Sequence, residues 1–157
     1  MMDRKETYKV AIENEIKSQV LYDLMSKSFK ERPETSVVFK RLIPMEKAHE
    51  DKLRAAFKKE FPNEVLTVDV NQKPGFTARD IIDPKKVIIF ALYREIDAAK
   101  IYKNMAAETT DEDLIALLNQ LAKEEGNHQE ILEQEIALMQ GQLSWYDPSE
   151  LSGLAEE

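Results

Sequence analysis

Apolar residues recur every three or four positions along four stretches of the chain, a spacing typical of helices that bury one face. Pro33 and Asp83-Pro84 suit the first turns of the second and third helices, and Gly141 suits the end of the fourth. The predicted helices cover residues about 4–29, 34–61, 84–107 and 111–140. The chain is therefore predicted to be all-α.

The predicted helices contain an internal repeat. Shifting the first helix by 80 residues, or the second by 79, superposes polar residues on equivalent positions of the third and fourth helices. The equivalent pairs are Glu15 and Glu95, Tyr22 and Tyr102, Glu46 and Glu125, and His49 and His128. A duplicated helical hairpin explains this pattern, and the short links within each hairpin favour antiparallel neighbours. We therefore predict an antiparallel four-helix bundle.

Residues 62–83 separate the two predicted hairpins. This segment is long enough to run the length of the bundle, as one long crossover between helices 2 and 3 requires. Val65, Leu66, Val68 and Val70 predict that part of it is extended and packed along the bundle.

The segment after the fourth predicted helix has no strong period. We interpret residues 141–157 as a tail in which Trp145 and Tyr146 dock on the bundle or on a partner subunit. A length of 157 residues suits one domain, so residues 1–157 are expected to form a single unit.

Composition and charge exclude several classes of function. The net charge of −8 and the pI near 5.0 disfavour a nucleic-acid or anionic-membrane partner, because those partners need a basic face. No apolar run reaches the length of a membrane span and no signal segment is evident, so we expect a cytoplasmic protein. The absence of cysteine excludes thiolate chemistry, so any metal must be bound by Glu, Asp or His.

Two Glu-x-x-His patterns occupy the centres of the second and fourth helices, as Glu46-Lys-Ala-His49 and Glu125-Gly-Asn-His128. Three residues along an α-helix correspond to a rise of roughly 4.5 Å, and both side chains project from one face, close enough to share a cation. One copy is a weak signal, since a solvated helix rich in Glu produces it by chance. The second copy contains the only other histidine of the chain, so metal binding is the better interpretation.

Glu15 and Glu95 lie at the centres of apolar stripes on the first and third helices, and each has a tyrosine seven residues later. Four inward carboxylates would be severely destabilising without counter-charge. No Lys or Arg occupies these stripes, whereas two divalent cations would balance the four negative charges. The sequence therefore predicts a two-metal core. Its six predicted ligands are Glu15, Glu46, His49, Glu95, Glu125 and His128.

This ligand pattern resembles that of the ferritin-like di-iron carboxylate superfamily, particularly rubrerythrins and bacterioferritins. The resemblance covers all four predicted helices and implies a ferritin-like bundle. It implies that Glu46 and Glu125 bridge the two metals, while the other four ligands bind one metal each. It also implies that Tyr22 and Tyr102 donate hydrogen bonds that orient the carboxylates. Ordinary aromatic core positions are the alternative interpretation for these tyrosines.

The chain departs from rubrerythrins proper in two respects. Those proteins carry a rubredoxin domain with four cysteines and an extra Glu one turn after the third-helix ligand, whereas this chain has no cysteine and has Ala98 at that position. The resemblance therefore implies an external electron donor such as a rubredoxin-like protein. The symmetric ligand set is more similar to that of bacterioferritins, which form large cages and have a short fifth helix with no clear counterpart here.

The resemblance implies a non-haem di-iron oxidoreductase with two iron ions, for which manganese or zinc are alternative metals. The expected reaction is rubrerythrin-like reduction of hydrogen peroxide, or of dioxygen, with an external donor. The alternatives are a ferroxidase or iron-handling protein, a di-iron substrate hydroxylase, and a bundle whose metals are structural. Family habit and the hydrophobic crossover lead us to expect a homodimer.

Overall fold

The computed structural model describes residues 3–74 and 83–146, which form a four-helix bundle without strands in these ranges. The helices are α1 (Arg4–Ser28), α2 (Pro33–Glu60), α3 (Pro84–Ala107) and α4 (Glu112–Tyr146). The prediction of an all-α bundle is confirmed. Within the described ranges, no helix combines the length and apolar character needed to cross a membrane.

Local sequence signals explain where the helices begin. The side chains of Asp3 and Asp83 accept backbone hydrogen bonds from the first turns of α1 and α3, at 2.8 and 3.1 Å. Pro33 and Pro84 are the first residues of α2 and α3, where the missing N–H would have no intrahelical partner. These caps place the helix starts close to the predicted positions.

The prediction that Gly141 ends the fourth helix is wrong, because α4 continues through Gly141 to Tyr146. Glycine ends a helix when it adopts the left-handed conformation, but the backbone of Gly141 is helical. A helical glycine costs only about 1 kcal/mol relative to alanine, which the neighbouring turns can offset. Residues 141–146 therefore belong to α4 and not to a tail. The predicted docking of Trp145, Tyr146 and the residues beyond lies outside what the structure describes.

The helices form two antiparallel hairpins, α1 with α2 and α3 with α4, which meet along α1 and α3 and along α2 and α4. Tyr22 contacts Glu95 whereas Tyr102 contacts Glu15, so α1 and α3 run in opposite directions. The contacts between α2 and α4 show the same antiparallel order. Equivalent residues of the two hairpins are thus related by a pseudo-twofold axis.

The apolar core consists of two clusters, and each contains buried side chains from all four helices. The first cluster includes Tyr8, Leu53, Tyr102 and Leu118. The second cluster includes Leu21, Phe39, Ile88 and Leu132. On α2, α3 and α4 the predicted metal ligands lie between the residues of these two clusters, and on α1 Glu15 lies near the boundary, next to Ile16 of the first cluster. The apolar clusters therefore enclose a polar layer in the middle of the bundle.

The first part of the predicted crossover has no regular secondary structure. Leu66 and Val68 are partly buried against the first cluster, whereas Val65 and Val70 are largely exposed. This arrangement agrees with the prediction that part of the segment packs along the bundle. Residues 75–82 lie outside the described ranges.

Candidate metal centre

The structure brings the six predicted ligands together in one buried cluster, and each of them is at most 3% exposed. Their ligand atoms form two groups, within each of which the atoms lie within 4.8 Å of one another. One group contains Glu15, Glu46, His49 and Glu125, and the other contains Glu46, Glu95, Glu125 and His128. Glu46 and Glu125 belong to both groups, which is the placement that bridging carboxylates require.

The two groups have closely matching geometry. His49 Nδ1 lies 2.9 Å from a Glu125 oxygen, and His128 Nδ1 lies 2.8 Å from a Glu46 oxygen. The same two nitrogens lie 3.4 and 3.5 Å from the glutamates of α1 and α3, respectively. The two imidazole rings are stacked, with centroids 5.7 Å apart. The internal repeat of the sequence is therefore reproduced as local symmetry of the cluster.

Seven nitrogen and oxygen atoms of this cluster are buried and have no hydrogen-bond partner of good geometry. They are Glu15 Oε2, Glu46 Oε1 and Oε2, His49 Nδ1, Glu95 Oε2, Glu125 Oε1 and His128 Nδ1. Buried polar atoms almost always have partners, so such a concentration of unsatisfied atoms needs an explanation. Carboxylate oxygens and imidazole nitrogens that converge in this way are suitable ligands for iron, manganese or zinc. The residues present therefore fit a pair of metal ions.

The crowding of charge changes the pKa values of the cluster. Burial and the neighbouring carboxylates raise the pKa of Glu46 well above its usual range and that of Glu125 to about 7. Burial lowers the pKa of His49 and His128, but the facing carboxylates outweigh it and raise the values to about 10 and about 12. Glu46, His49 and His128 therefore retain protons near neutral pH and Glu125 is partly protonated, so metal binding should release protons.

Tyr22 and Tyr102 are buried and each donates a hydrogen bond to a carboxylate of the cluster. Tyr22 donates to Glu95, and Tyr102 donates to Glu15, so each tyrosine orients a glutamate of the opposite hairpin. Burial and the nearby carboxylates raise the pKa of both phenols well above the usual value of tyrosine. Both side chains therefore remain hydrogen-bond donors at physiological pH.

Sequence analysis did not predict the part played by Glu124. Its Oε1 atom lies 3.1 Å from His49 Nε2, and its Oε2 atom accepts a hydrogen bond from Gln120 at 2.7 Å. Glu124 is partly exposed and lies off the inward stripe that contains Glu125, so helical periodicity does not single it out. Comparison of the two repeats could have done so, because the position equivalent to Glu124 is Met45.

A four-helix bundle with one inward glutamate on each of two helices and Glu-x-x-His on each of the other two defines the class of ferritin-like di-metal carboxylate proteins. Residues 6–136 match the Rubrerythrin family. The chain therefore belongs to the rubrerythrin family, a ferritin-like di-iron family. The 157 residues contain no cysteine, so they cannot form the cysteine-ligated iron site of a rubredoxin domain.

A solved structure supports the assignment of the fold. A hypothetical protein from Pyrococcus furiosus is similar over 92% of each chain, with a TM-score of 0.79 and 23% sequence identity. At this identity the similarity establishes the fold alone. No curated protein matches the sequence significantly.

Proposed function

We propose that this protein is a non-haem di-iron oxidoreductase that reduces hydrogen peroxide with electrons from an external donor. The observation that carries the proposal is the buried cluster in which Glu46 and Glu125 belong to both groups of ligand atoms. Shared carboxylates can keep two metal ions close enough to act together on one small molecule. Family membership supports iron as the metal.

The reaction requires two electrons and two protons for each hydrogen peroxide molecule that is converted to two water molecules. Two bound ferrous ions would supply the two electrons, becoming ferric. The protein holds the carboxylates in place during this change of charge, since Tyr22 and Tyr102 donate to Glu95 and Glu15. Their raised pKa values keep both donors protonated.

The enclosure of the cluster favours a small oxidant over an organic substrate. A hydroxylase needs an apolar pocket beside its metals, whereas peroxide needs little space. A cavity of about 420 Å³ lies near the junction of α2 and α4, lined by residues such as Tyr8, Lys52 and Leu114 and by none of the six candidate ligands. This cavity therefore does not place an organic substrate beside the candidate ligands.

The proposal includes an external electron donor and a homodimer. Because these 157 residues contain no cysteine, we propose that an external protein, such as a rubredoxin-like partner, supplies the electrons. The exposed Val65 and Val70 of the crossover provide apolar surface for a second subunit. Sedimentation velocity would measure the oligomeric state, and a monomer at micromolar concentration would contradict the homodimer.

The reaction can be tested with anaerobic protein loaded with two equivalents of ferrous iron. Mixing it with equal concentrations of peroxide or dioxygen in a stopped-flow instrument allows the near-ultraviolet absorbance of the ferric product to be compared. We expect faster oxidation by peroxide, and no comparable signal from Glu46→Ala. The matched control is Glu130→Ala, an exposed residue of α4.

Two other outcomes would favour the alternative functions. Equal rates, or faster oxidation by dioxygen, would contradict the peroxidase proposal and favour a ferroxidase or a hydroxylase. Uptake of many irons per chain by a large assembly would favour iron storage. Light scattering and iron analysis of the same samples distinguish these outcomes.

A further inference from the structure

The symmetry that relates the six candidate ligands does not extend to the residues around them. Glu124 Oε1 lies 3.1 Å from His49 Nε2. The equivalent position in the first hairpin is Met45, which is 45% exposed and whose thioether is at best a weak acceptor. Among the residues that the structure describes, the second hairpin therefore supplies a carboxylate partner for His49, whereas the equivalent position of the first hairpin supplies none for His128.

The environment of His49 determines which of its nitrogens can bind a metal. Nδ1 faces the cluster, 2.9 Å from Glu125 and 3.4 Å from Glu15, whereas Nε2 faces Glu124. A histidine that binds a metal through Nδ1 carries its proton on Nε2, and Glu124 is placed to accept that hydrogen bond. Gln120 donates to the other oxygen of Glu124 at 2.7 Å and so restrains the carboxylate.

A second set of hydrogen bonds lies on the same side of the cluster as Glu124. The Gln19 side chain donates to the Glu15 backbone carbonyl at 3.2 Å and to the buried carboxylate of Glu50 at 2.9 Å. The equivalent residues around the other group are Ala99 and Gln129. Alanine has no side-chain donor, so this arrangement is not repeated around the second group.

We propose that Glu124 is a positioning residue that makes the two metal positions inequivalent. It would fix the tautomer and raise the basicity of His49, so that the metal bound by His49 and Glu15 is held more tightly than the metal bound by His128 and Glu95. This inference rests on the proposed two-metal centre, but it does not depend on the peroxidase reaction.

Zinc binding provides a test that does not use catalysis. Isothermal titration of the metal-free protein with zinc should show two binding steps in the wild type. Glu124→Ala should weaken one step about 10- to 100-fold and leave the other unchanged, because loss of such a hydrogen bond typically has this effect. Glu124→Gln retains a neutral acceptor and should cause a smaller loss. Glu133→Ala, at an exposed position of α4, is the control for loss of charge.

Nuclear magnetic resonance of the zinc-loaded protein gives a second measurement. We expect a slowly exchanging Nε2 proton on His49 that is lost in Glu124→Ala and retained in Glu133→Ala. If Glu124→Ala has the same two affinities as the control, or loses both equally, the inference is wrong. If the wild type itself binds fewer than two zinc ions, the two-metal centre is wrong instead.

Discussion

Replacing Glu46 by glutamine should stabilise the metal-free protein while weakening the binding of both metals. Glu46 is fully buried, and neither of its carboxylate oxygens has a hydrogen-bond partner of good geometry, although His128 Nδ1 lies 2.8 Å from one of them. Burial, together with Glu15, Glu95 and Glu125, raises its pKa, so the ionised form is unfavourable in the folded chain. Because Glu46 belongs to both groups of ligand atoms, its loss should affect both metal positions.

The size of the effect follows from the cost of buried charge. Each unit by which the fold raises the pKa of a carboxyl group destabilises the folded chain by about 1.4 kcal/mol when the pH lies above both pKa values, and glutamine removes this cost. Glutamine keeps the volume of Glu46, and its amide can donate to the remaining carboxylates. In a protein of this length, a gain of about 2 kcal/mol raises Tm by about 4–8 °C.

Thermal unfolding in a chelator at pH 8, followed by far-ultraviolet circular dichroism, measures the first part of this prediction. Zinc titration of the same samples measures the second. Glu130→Gln makes the same change of charge at an exposed position of α4 and is the control. A Tm for Glu46→Gln at or below that of the control would refute the reasoning about buried charge. Binding of two metals with wild-type affinity would refute the shared role of Glu46.

Two further predictions concern the occupancy and the protonation of the centre. Anaerobic iron reconstitution should give two metals per chain, and metal analysis that finds at most one equivalent in the wild type would contradict this. His49→Ala and His128→Ala should each lower the affinity for mainly one of the two metals. The metal-free protein should lose stability between about pH 7 and pH 10, because a histidine whose folded pKa is raised stabilises the fold fully only below its unfolded value near 6.5. For His49 this stabilisation is lost as the pH rises through about 10. Urea unfolding at several pH values measures the free energy of unfolding. If that free energy does not change with pH, the imidazole is not held in its charged form.

The candidate ligands could be predicted from the sequence, because the spacing between Glu and His in each Glu-x-x-His pattern lies within a single helix. Glu46 and His49 are three residues apart, so any regular helix places them on one face. The repeat then predicted an equivalent pair at Glu125 and His128. Apolar residues on the same stripes showed that these faces point inward, and the structure brings the two pairs together.

Contacts between helices could not be predicted in the same way, because they depend on the relative heights of the helices in the bundle. Sequence spacing associates Tyr22 with Glu15 on its own helix, yet in the structure Tyr22 donates to Glu95. Glu124 reaches His49 across the α2–α4 interface from a position that helical periodicity assigns to the surface. Gly141 was misjudged for a different reason, since its residue type permits the end of a helix but does not require it.

The arrangement of the core explains how the fold can contain a layer of buried carboxylates. Both apolar clusters contain side chains from all four helices, so each cluster joins the two hairpins independently of the cluster of ligands. Packing of large side chains fixes the relative heights of the helices to within a fraction of a helical turn. The positions of the six candidate ligands are therefore determined by apolar packing on either side of them. In the proposed two-metal centre, the metal ions would bind to a site that apolar packing has already organised, and their binding energy would offset the repulsion between the carboxylates.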